Sequence, residues 1–141
     1  MYAHLYTDGA CKGNPGPGSI GCVLLDEHGG VLATHGEFIG DTTSNRAEYE
    51  ALRQGLQLAK DFGVTHLSCK TDSKNLADHF NGKMKIEHPE LSRRMKEIKD
   101  LINHFEYIAL NHVYRESNKE ADRIANMAYR QEVDSLGPLD Y

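Results

Sequence analysis

The stretch from Tyr6 to Gly18, YTDGACKGNPGPG, places a carboxylate at the end of a predicted strand and follows it with a loop rich in glycine and proline. Upstream of Asp8, two sets of side chains alternate, which is the period-two pattern of a strand with two different faces. Downstream, the glycines remove side chains where another backbone can approach, and Pro15 and Pro17 stiffen the loop. A carboxylate beside such a loop can hold a metal ion against a bulky polyanion. The alternative is an Asp-Gly turn that closes a hairpin.

The composition of the 141-residue chain, 39% apolar and 26% charged, predicts one globular domain, residues 1–132, followed by a flexible tail, residues 133–141. The sequence has no apolar run of about 18 residues and no cleavable leader pattern, so we expect a cytoplasmic monomer that contacts no membrane. Three cysteines without paired spacing suit a reducing compartment. The net charge of -5 means that any polyanion must be attracted by local basic patches and bound cations.

Hydrophobic periodicity predicts a mixed five-stranded sheet with helices on its faces, that is, an α/β fold. Three strands joined by short turns must form an antiparallel meander, and a fourth strand, reached through a helix, can return parallel beside the first. Ser44 or Asn45 is expected to cap the first helix. The predicted elements are strands from Tyr2, over Ser19–Asp26, Val31–Ile39, Thr65–Thr71 and Glu106–Val113, and helices over Ser44–Phe62, Ser73–Phe80, from Pro89, and over Ser117–Glu132.

Four acids, Asp8, Glu48, Asp72 and Asp122, each fall at the edge of a different predicted element. Each also has a local structural explanation. Glu48 has capping-box spacing from Asn45, Asp72 can cap the helix that follows it, and Asp122 can complement a helix dipole.

Four carboxylates brought together without a cation would raise one another's pKa at a considerable cost, so the set predicts divalent metal ions. Oxygen ligands suit Mg²⁺ or Mn²⁺, and the lack of a nearby Cys/His set argues against zinc. Two such ions can activate water and stabilise the leaving oxygen in attack on a phosphodiester, which predicts a nuclease. A segment from Lys83 to Lys96, with five basic and two acidic residues, is either a solvated face or a phosphate-contacting surface.

The segments TDGACKGNPGPG, TTSNRAEYEAL, TDS and NKEADRIA resemble, in order, the four signatures of the type 1 ribonuclease H family, from about Tyr2 to Met127. The resemblance implies the ribonuclease H-like fold and an endonuclease that uses two Mg²⁺ ions, or Mn²⁺ in their place, to cut the RNA strand of RNA/DNA hybrids. It implies that Asp8, Glu48, Asp72 and Asp122 are the catalytic and metal-binding carboxylates. The implied substrate contacts are Asn14 and Asn45 in the minor groove, the backbone around Cys11 on the same surface, and Thr43 on a phosphate of the DNA strand.

The sequence departs from the family pattern in three places. The segment before the last helix lacks the loop histidine of many members, so we expect Arg115 to substitute in part, with Glu116 a weaker candidate and His112 misplaced on the preceding strand. The stretch from Asn81 to Pro89 is too short for the family's basic protrusion, which predicts weak, salt-sensitive binding. Ser44 and Lys74 replace amides at substrate-contacting positions. Double-stranded RNA is a second possible substrate, and a catalytically silent nucleic-acid-binding module is the alternative from another class.

Overall fold

A computed structural model describes residues 1–136 and contains one five-stranded sheet with four helices. The strands occur in the order β3-β2-β1-β4-β5, and β1 pairs antiparallel with β2 but parallel with β4. The predicted fold class and the predicted place of the fourth strand are therefore confirmed. The elements are β1 (Tyr2–Cys11), β2 (Gly16–Asp26), β3 (Val31–Thr42), α1 (Ser44–Asp61), β4 (His66–Thr71), α2 (Lys74–Phe80), α3 (Pro89–Ile102), β5 (Tyr107–His112) and α4 (Lys119–Ser135).

The main hydrophobic core lies between one face of the sheet and α1, α2 and α3. Leu5 and Leu24, opposite each other on β1 and β2, pack there with Leu52 of α1 and Ile98 of α3, and all four side chains are fully buried. Because side chains alternate along a strand, the neighbouring residues of β1 point to the opposite face. Helix α4 packs on that opposite face, across β2, β3 and part of β1.

Helix α4 lies very close to the sheet because β2 carries a glycine beneath it. A Cβ atom at Gly21 would lie 2.1 Å from the carbonyl oxygen of Ala121 and 2.6 Å from the backbone nitrogen of Ala125. Next to it, the hydroxyl of Ser19 donates a hydrogen bond of 2.6 Å to the carbonyl of Ala125. The backbones of β2 and α4 are therefore in direct contact.

Several element boundaries differ from the sequence prediction. The predicted glycine-rich loop is mostly strand, because β1 continues to Cys11 and Lys12 N–H bonds to the carbonyl of Pro17 across a tight connection. Neither Ser44 nor Asn45 caps α1; Thr43 does, its hydroxyl accepting a hydrogen bond from the backbone N–H of Arg46.

The C-terminal region also departs from the predicted boundaries. A short 3-10 turn, Arg115–Ser117, precedes α4, which continues to Ser135 and so includes the first residues of the predicted tail. Leu136 is the C-terminal cap of α4, and the last part of that tail, residues 137–141, lies outside the described residues. Within residues 1–136, no helix combines the length and hydropathy needed to cross a membrane.

Candidate active site

Asp8 and Asp72 meet at one edge of the sheet because their strands are parallel neighbours. Thr7 of β1 is in register with Thr71, the last residue of β4, so Asp72 follows β4 beside the point where β1 presents Asp8. Asp8 is 6% exposed. The capping alternative for Asp72 is wrong, since Ser73 caps α2 by accepting a hydrogen bond from the backbone N–H of Leu76. The carboxyl ends of parallel strands thus bring the two aspartates together.

Glu48 reaches the same edge from α1, and Gly9 makes this possible. A Cβ atom at Gly9 would lie 2.4 Å from the carbonyl carbon of Ala47, so only glycine allows α1 to approach β1 this closely. The backbone N–H of Gly9 donates to Oε1 of Glu48, and the hydroxyl of Thr71 lies 3.5 Å from Oε2. These contacts hold the carboxylate beside Asp8 and replace the capping-box role that its spacing from Asn45 allowed.

Asp8, Glu48 and Asp72 form a three-carboxylate cluster, in which each residue offers an oxygen within 4.8 Å of the others. Asp122, in the first turn of α4, lines the same cavity as these three acids and approaches from the opposite face of the sheet, near enough to Asp8 to help raise its pKa. The structure therefore brings all four predicted acids to one place. Because every donor is a carboxylate oxygen, the cluster fits a hard divalent cation of the Mg²⁺ or Mn²⁺ type.

The electrostatics of the cluster point to a cation as well. Burial raises the pKa of Asp8 well above its ordinary value, and the nearby charges of Glu48 and Asp72 raise it further. Burial also raises the pKa of Glu48, although the hydrogen bond from Gly9 N–H opposes that shift. A divalent cation would supply the positive charge that these buried carboxyls lack, and would allow them to ionise together.

The carboxylates open into a cleft of about 640 Å³, which contains several of the predicted substrate-contacting residues. Cys11, Ser44, Asn45 and Arg115 all line it. The thiol of Cys11 is not a free group, since it donates hydrogen bonds to the carbonyls of Gly16 and Thr42 at 3.4 and 3.3 Å. Cys11 thus joins β1 to β2 and β3 at the wall of the cleft.

A second groove, of about 350 Å³, adjoins the cleft at Ser44 and Asn45, which line both. Asn14 and Thr43 line this groove too, and Oδ1 of Asn14 accepts a hydrogen bond of 3.1 Å from the backbone N–H of Ser44. Of the predicted substrate contacts described in residues 1–136, Lys74 alone lines neither cavity. Its ammonium pairs with Asp78 one turn along α2, at 2.5 Å on the exposed surface.

The basic segment Lys83–Lys96 divides into two kinds of residue. Arg94 turns inward and pairs with Glu50 of α1 and Glu90 of α3, both at 3.3 Å. Lys83, Lys85, Arg93 and Lys96 are exposed. Arg94 therefore joins α1 to α3 and is not part of a free phosphate-contacting surface.

Several residues that line the cleft had no role assigned to them from the sequence. His112, which we expected to be misplaced for the role of the loop histidine, does line the cleft, because β5 runs parallel to β4 and His112 is in register with Thr71. Tyr114 packs against the His112 ring edge-on, with 5.7 Å between ring centroids. The parallel order of β4 and β5 could have predicted the position of His112. Lys12, within the first signature, and Tyr114 and Asn126, outside the signatures, also line the cleft.

The chain is similar to proteins of known family over almost its whole length. A family model described as "Reverse transcriptase-like" matches residues 6–128. The chain is 38% identical over 125 residues to "Ribonuclease HI" of Halobacterium salinarum. The matched region covers 89% of this chain and 63% of that protein. It therefore spans less than two thirds of the length of that curated relative.

Two solved structures resemble it closely. The crystal structure of RNase H1 from the halophilic archaeon Halobacterium salinarum matches with a TM-score of 0.91 and 37% identity, over 93% of this chain and 99% of the other. LC11-RNase H1, crystallised in complex with an RNA/DNA hybrid, matches with a TM-score of 0.89 and 32% identity, over 94% of this chain and 99% of that one.

Proposed function

This chain belongs to the type 1 ribonuclease H family, and on that premise we propose that it is an endonuclease that hydrolyses the RNA strand of RNA/DNA hybrids. The observation that carries the proposal is the carboxylate cluster of Asp8, Glu48 and Asp72, of which Asp8 and Glu48 are buried, with Asp122 lining the same cleft. A chain that only bound nucleic acid would have no use for four mutually repelling acids beside its cleft, two of them buried. The cluster thus argues against the silent binding module.

The same four carboxylates would hold two Mg²⁺ ions, with Mn²⁺ able to replace them. When bound, such a pair supplies an activated water and stabilises the charge on the leaving oxygen of a phosphodiester. The chain itself contributes the positions of the ligands. Gly9 N–H orients Glu48, and the parallel register of β1 and β4 fixes the separation of Asp8 and Asp72.

Substrate recognition is proposed to occur along the two adjoining cavities. Asn14 and Asn45 offer amides to the minor groove of the hybrid, and Thr43 lies in the second groove, where a phosphate of the DNA strand would bind. Ser44 lies between them with its backbone N–H already bonded to Asn14. The 2'-hydroxyls of the RNA strand and the shape of the DNA strand can be recognised here without reading a base sequence. LC11-RNase H1, which was crystallised in complex with an RNA/DNA hybrid, supports a hybrid as the substrate.

Arg115 is proposed to stabilise negative charge as the leaving oxygen departs. It lines the cleft immediately before α4, close in sequence to Asp122, and a guanidinium stays protonated at every working pH. It can therefore supply charge but cannot deliver a proton near neutrality. Glu116, which does not line the cleft, is the weaker candidate for a role here.

The experiment is a cleavage assay on three labelled substrates of the same sequence: an RNA/DNA hybrid, double-stranded RNA and single-stranded RNA. Each is incubated with Mg²⁺ and with Mn²⁺. We expect cleavage of the hybrid alone, with products that end in 5'-phosphate and 3'-hydroxyl groups. Asp72→Asn, which keeps the size of the side chain but removes its charge, is the matched control and should be inactive. Cleavage of both duplexes would widen the substrate class, and binding without cleavage would refute the enzymatic proposal.

A further inference from the structure

Three aromatic rings form a row across three adjacent strands on the side of the sheet that carries α4. In the parallel register, Tyr2 of β1 pairs with His66 of β4, and His66 pairs with Tyr107 of β5. The rings of Tyr2 and His66 are stacked, with 4.3 Å between centroids and 23° between planes. We call Tyr2, His66 and Tyr107 the ring row.

The ring row is solvent-accessible. Tyr2 is 59% exposed and Tyr107 is 58% exposed. Helix α4 covers β2, β3 and part of β1, and α1 to α3 pack on the other face. The ring row therefore offers flat aromatic surface to a molecule from outside the fold.

A lysine side chain lies on the same face, two register pairs further along β1 and β4. The ammonium of Lys70 lies 5.7 Å from the centroid of the Tyr6 ring, which is its partner in register on β1. It is also 2.8 Å from Nδ1 of His4 and 2.8 Å from the hydroxyl of Ser68. Lys70 is thus held in place, close to an aromatic ring, by uncharged groups.

A groove of about 610 Å³ continues this face towards the start of α4. Tyr6 belongs both to the face and to the groove, whose floor is apolar and includes Val23, Leu25 and Val31. Its rim carries charged groups of both signs, Glu120 and Arg123 among them, which pair with each other at 3.0 Å. An apolar floor with a polar rim is typical of a site for a flat, polar-edged ring.

We propose that the part of this face that no helix covers in residues 1–136 binds single-stranded nucleic acid, with bases stacked on the ring row and a phosphate beside Lys70. Exposed aromatic rings on a sheet bind bases of any sequence, because every base has a π-face. His4, Ser68 and Lys70 interrupt the aromatic surface with polar groups, which suits a polyanion better than an apolar protein surface. Tyr2 precedes Asp8 by six residues along an extended strand, or about 20 Å, so the face is separate from the carboxylate cluster.

We expect the stacking of bases on the ring row to contribute most of the affinity for single-stranded nucleic acid. Among the residues of β1, β4 and β5, Lys70 is the one lysine on this face. It can therefore neutralise few phosphates of a bound strand. We expect the logarithm of the binding constant to fall with the logarithm of salt concentration with a slope of only about -0.7, the value for one phosphate contact on a single strand.

The test measures fluorescence anisotropy of a labelled thymidine oligonucleotide with the full chain, in a chelator so that no cleavage occurs. The wild-type protein should bind, and Tyr2→Ala/Tyr107→Ala should weaken binding at least tenfold, since each stacked base contributes substantially. Tyr107→Phe, which keeps the ring, should bind as the wild type does. Lys70→Gln should remove most of the salt dependence.

Two controls separate this face from the rest of the protein. Phe62→Ala removes an aromatic ring that is 41% exposed at the end of α1 and should leave binding unchanged. The double variant should retain its circular dichroism spectrum and should cut a blunt-ended hybrid at the wild-type rate. Absence of wild-type binding, or equal binding by the double variant, would overturn the proposal. So would a wild-type dimer in sedimentation that the double variant abolishes, since the face would then be a self-association surface.

Discussion

The side-chain amide of Asn118 donates a hydrogen bond of 2.9 Å to the backbone carbonyl of Thr7. Asn118 is 1% exposed and precedes α4, and Thr7 precedes Asp8 on β1. One turn into the helix, the backbone N–H of Asp122 bonds to the carbonyl of Asn118 at 3.2 Å. One buried side chain therefore connects the segments that carry Asp8 and Asp122.

We predict that Asn118→Ala lowers the free energy of unfolding by about 0.5–1.5 kcal/mol, because the buried hydrogen bond to the Thr7 carbonyl would be lost. We also expect the concentration of Mg²⁺ needed for half-maximal cleavage to rise, because α4 would hold Asp122 less firmly. Denaturant titration and metal-dependence curves measure the two effects. Asn111→Ala, at an exposed position of β5, is the control and should change neither.

Gly9→Ala should lower both stability and activity, because the new methyl group would collide with the backbone of Ala47 and Glu48. Overpacking of this kind costs about 1–3 kcal/mol. Displacing α1 would also move Glu48 away from the Gly9 N–H that orients it. The cleavage rate should fall even under conditions where the variant is fully folded. Gly29→Asn is the comparison, because Gly29 has open space around it and its positive φ of 89° is one that asparagine tolerates.

Without divalent cations, the free energy of unfolding should fall as the pH rises. Burial raises the pKa of Asp8 and of Glu48 in the folded chain, so the folded state keeps protons that the unfolded state has lost above its ordinary carboxyl pKa values of 3.8 and 4.5. Stability then falls by about 1.4 kcal/mol per pH unit for each proton retained. Thermal unfolding in chelator between about pH 5 and about pH 8 measures this slope.

Adding Mg²⁺ should reverse the loss of stability at the upper end of that pH range, because the cation binds the ionised carboxylates of the folded state. Asp8→Asn should flatten the pH dependence and stabilise the metal-free protein at high pH. A wild-type melting temperature that is constant with pH in chelator would contradict this electrostatic account of the cluster.

Arg115→Ala should reduce the cleavage rate of the hybrid by about 10²-fold, in the range seen when one charge-stabilising donor is removed. Arg115→Lys should recover part of the rate, since it restores the charge but not the planar fork of donors. His112→Ala, which alters another residue that lines the same cleft, should be compared in parallel. A rate for Arg115→Ala equal to that of the wild type would remove Arg115 from the reaction.

The sequence predicted the carboxylate cluster because strand order and hydrophobic periodicity suffice to place Asp8 and Asp72 together. Asp72 had to follow a strand that returns parallel beside β1, and Glu48 had to lie near the start of the connecting helix. The roles of Gly9 and Asn118 could not be predicted in the same way. Both depend on how closely a helix approaches the sheet, which is set by tertiary packing and not by local pattern.

The wrong expectations also have physical reasons. Glycine and proline suggested a loop after Asp8, but the backbone hydrogen bonds of the hairpin extend β1 to Cys11. Thr43 caps α1 in place of Ser44 because the extended conformation required of a cap falls one residue earlier. Lys74 was placed by motif position alone, whereas its side chain is held by Asp78 on the same helix.

The contact between Gly21 and α4 bears on how this protein tolerates change. Since the backbones of Ala121 and Ala125 rest directly on β2, the height of α4 above the sheet is fixed by main-chain atoms. Substitutions on the outer side of that helix can accumulate, or be engineered for solubility or attachment of a label, without shifting the acid it presents. Adding even one methyl group between β2 and α4 would shift the helix and the acid that it presents. Sequence divergence should therefore be permitted on the solvent side of α4 and excluded on the side that contacts the sheet.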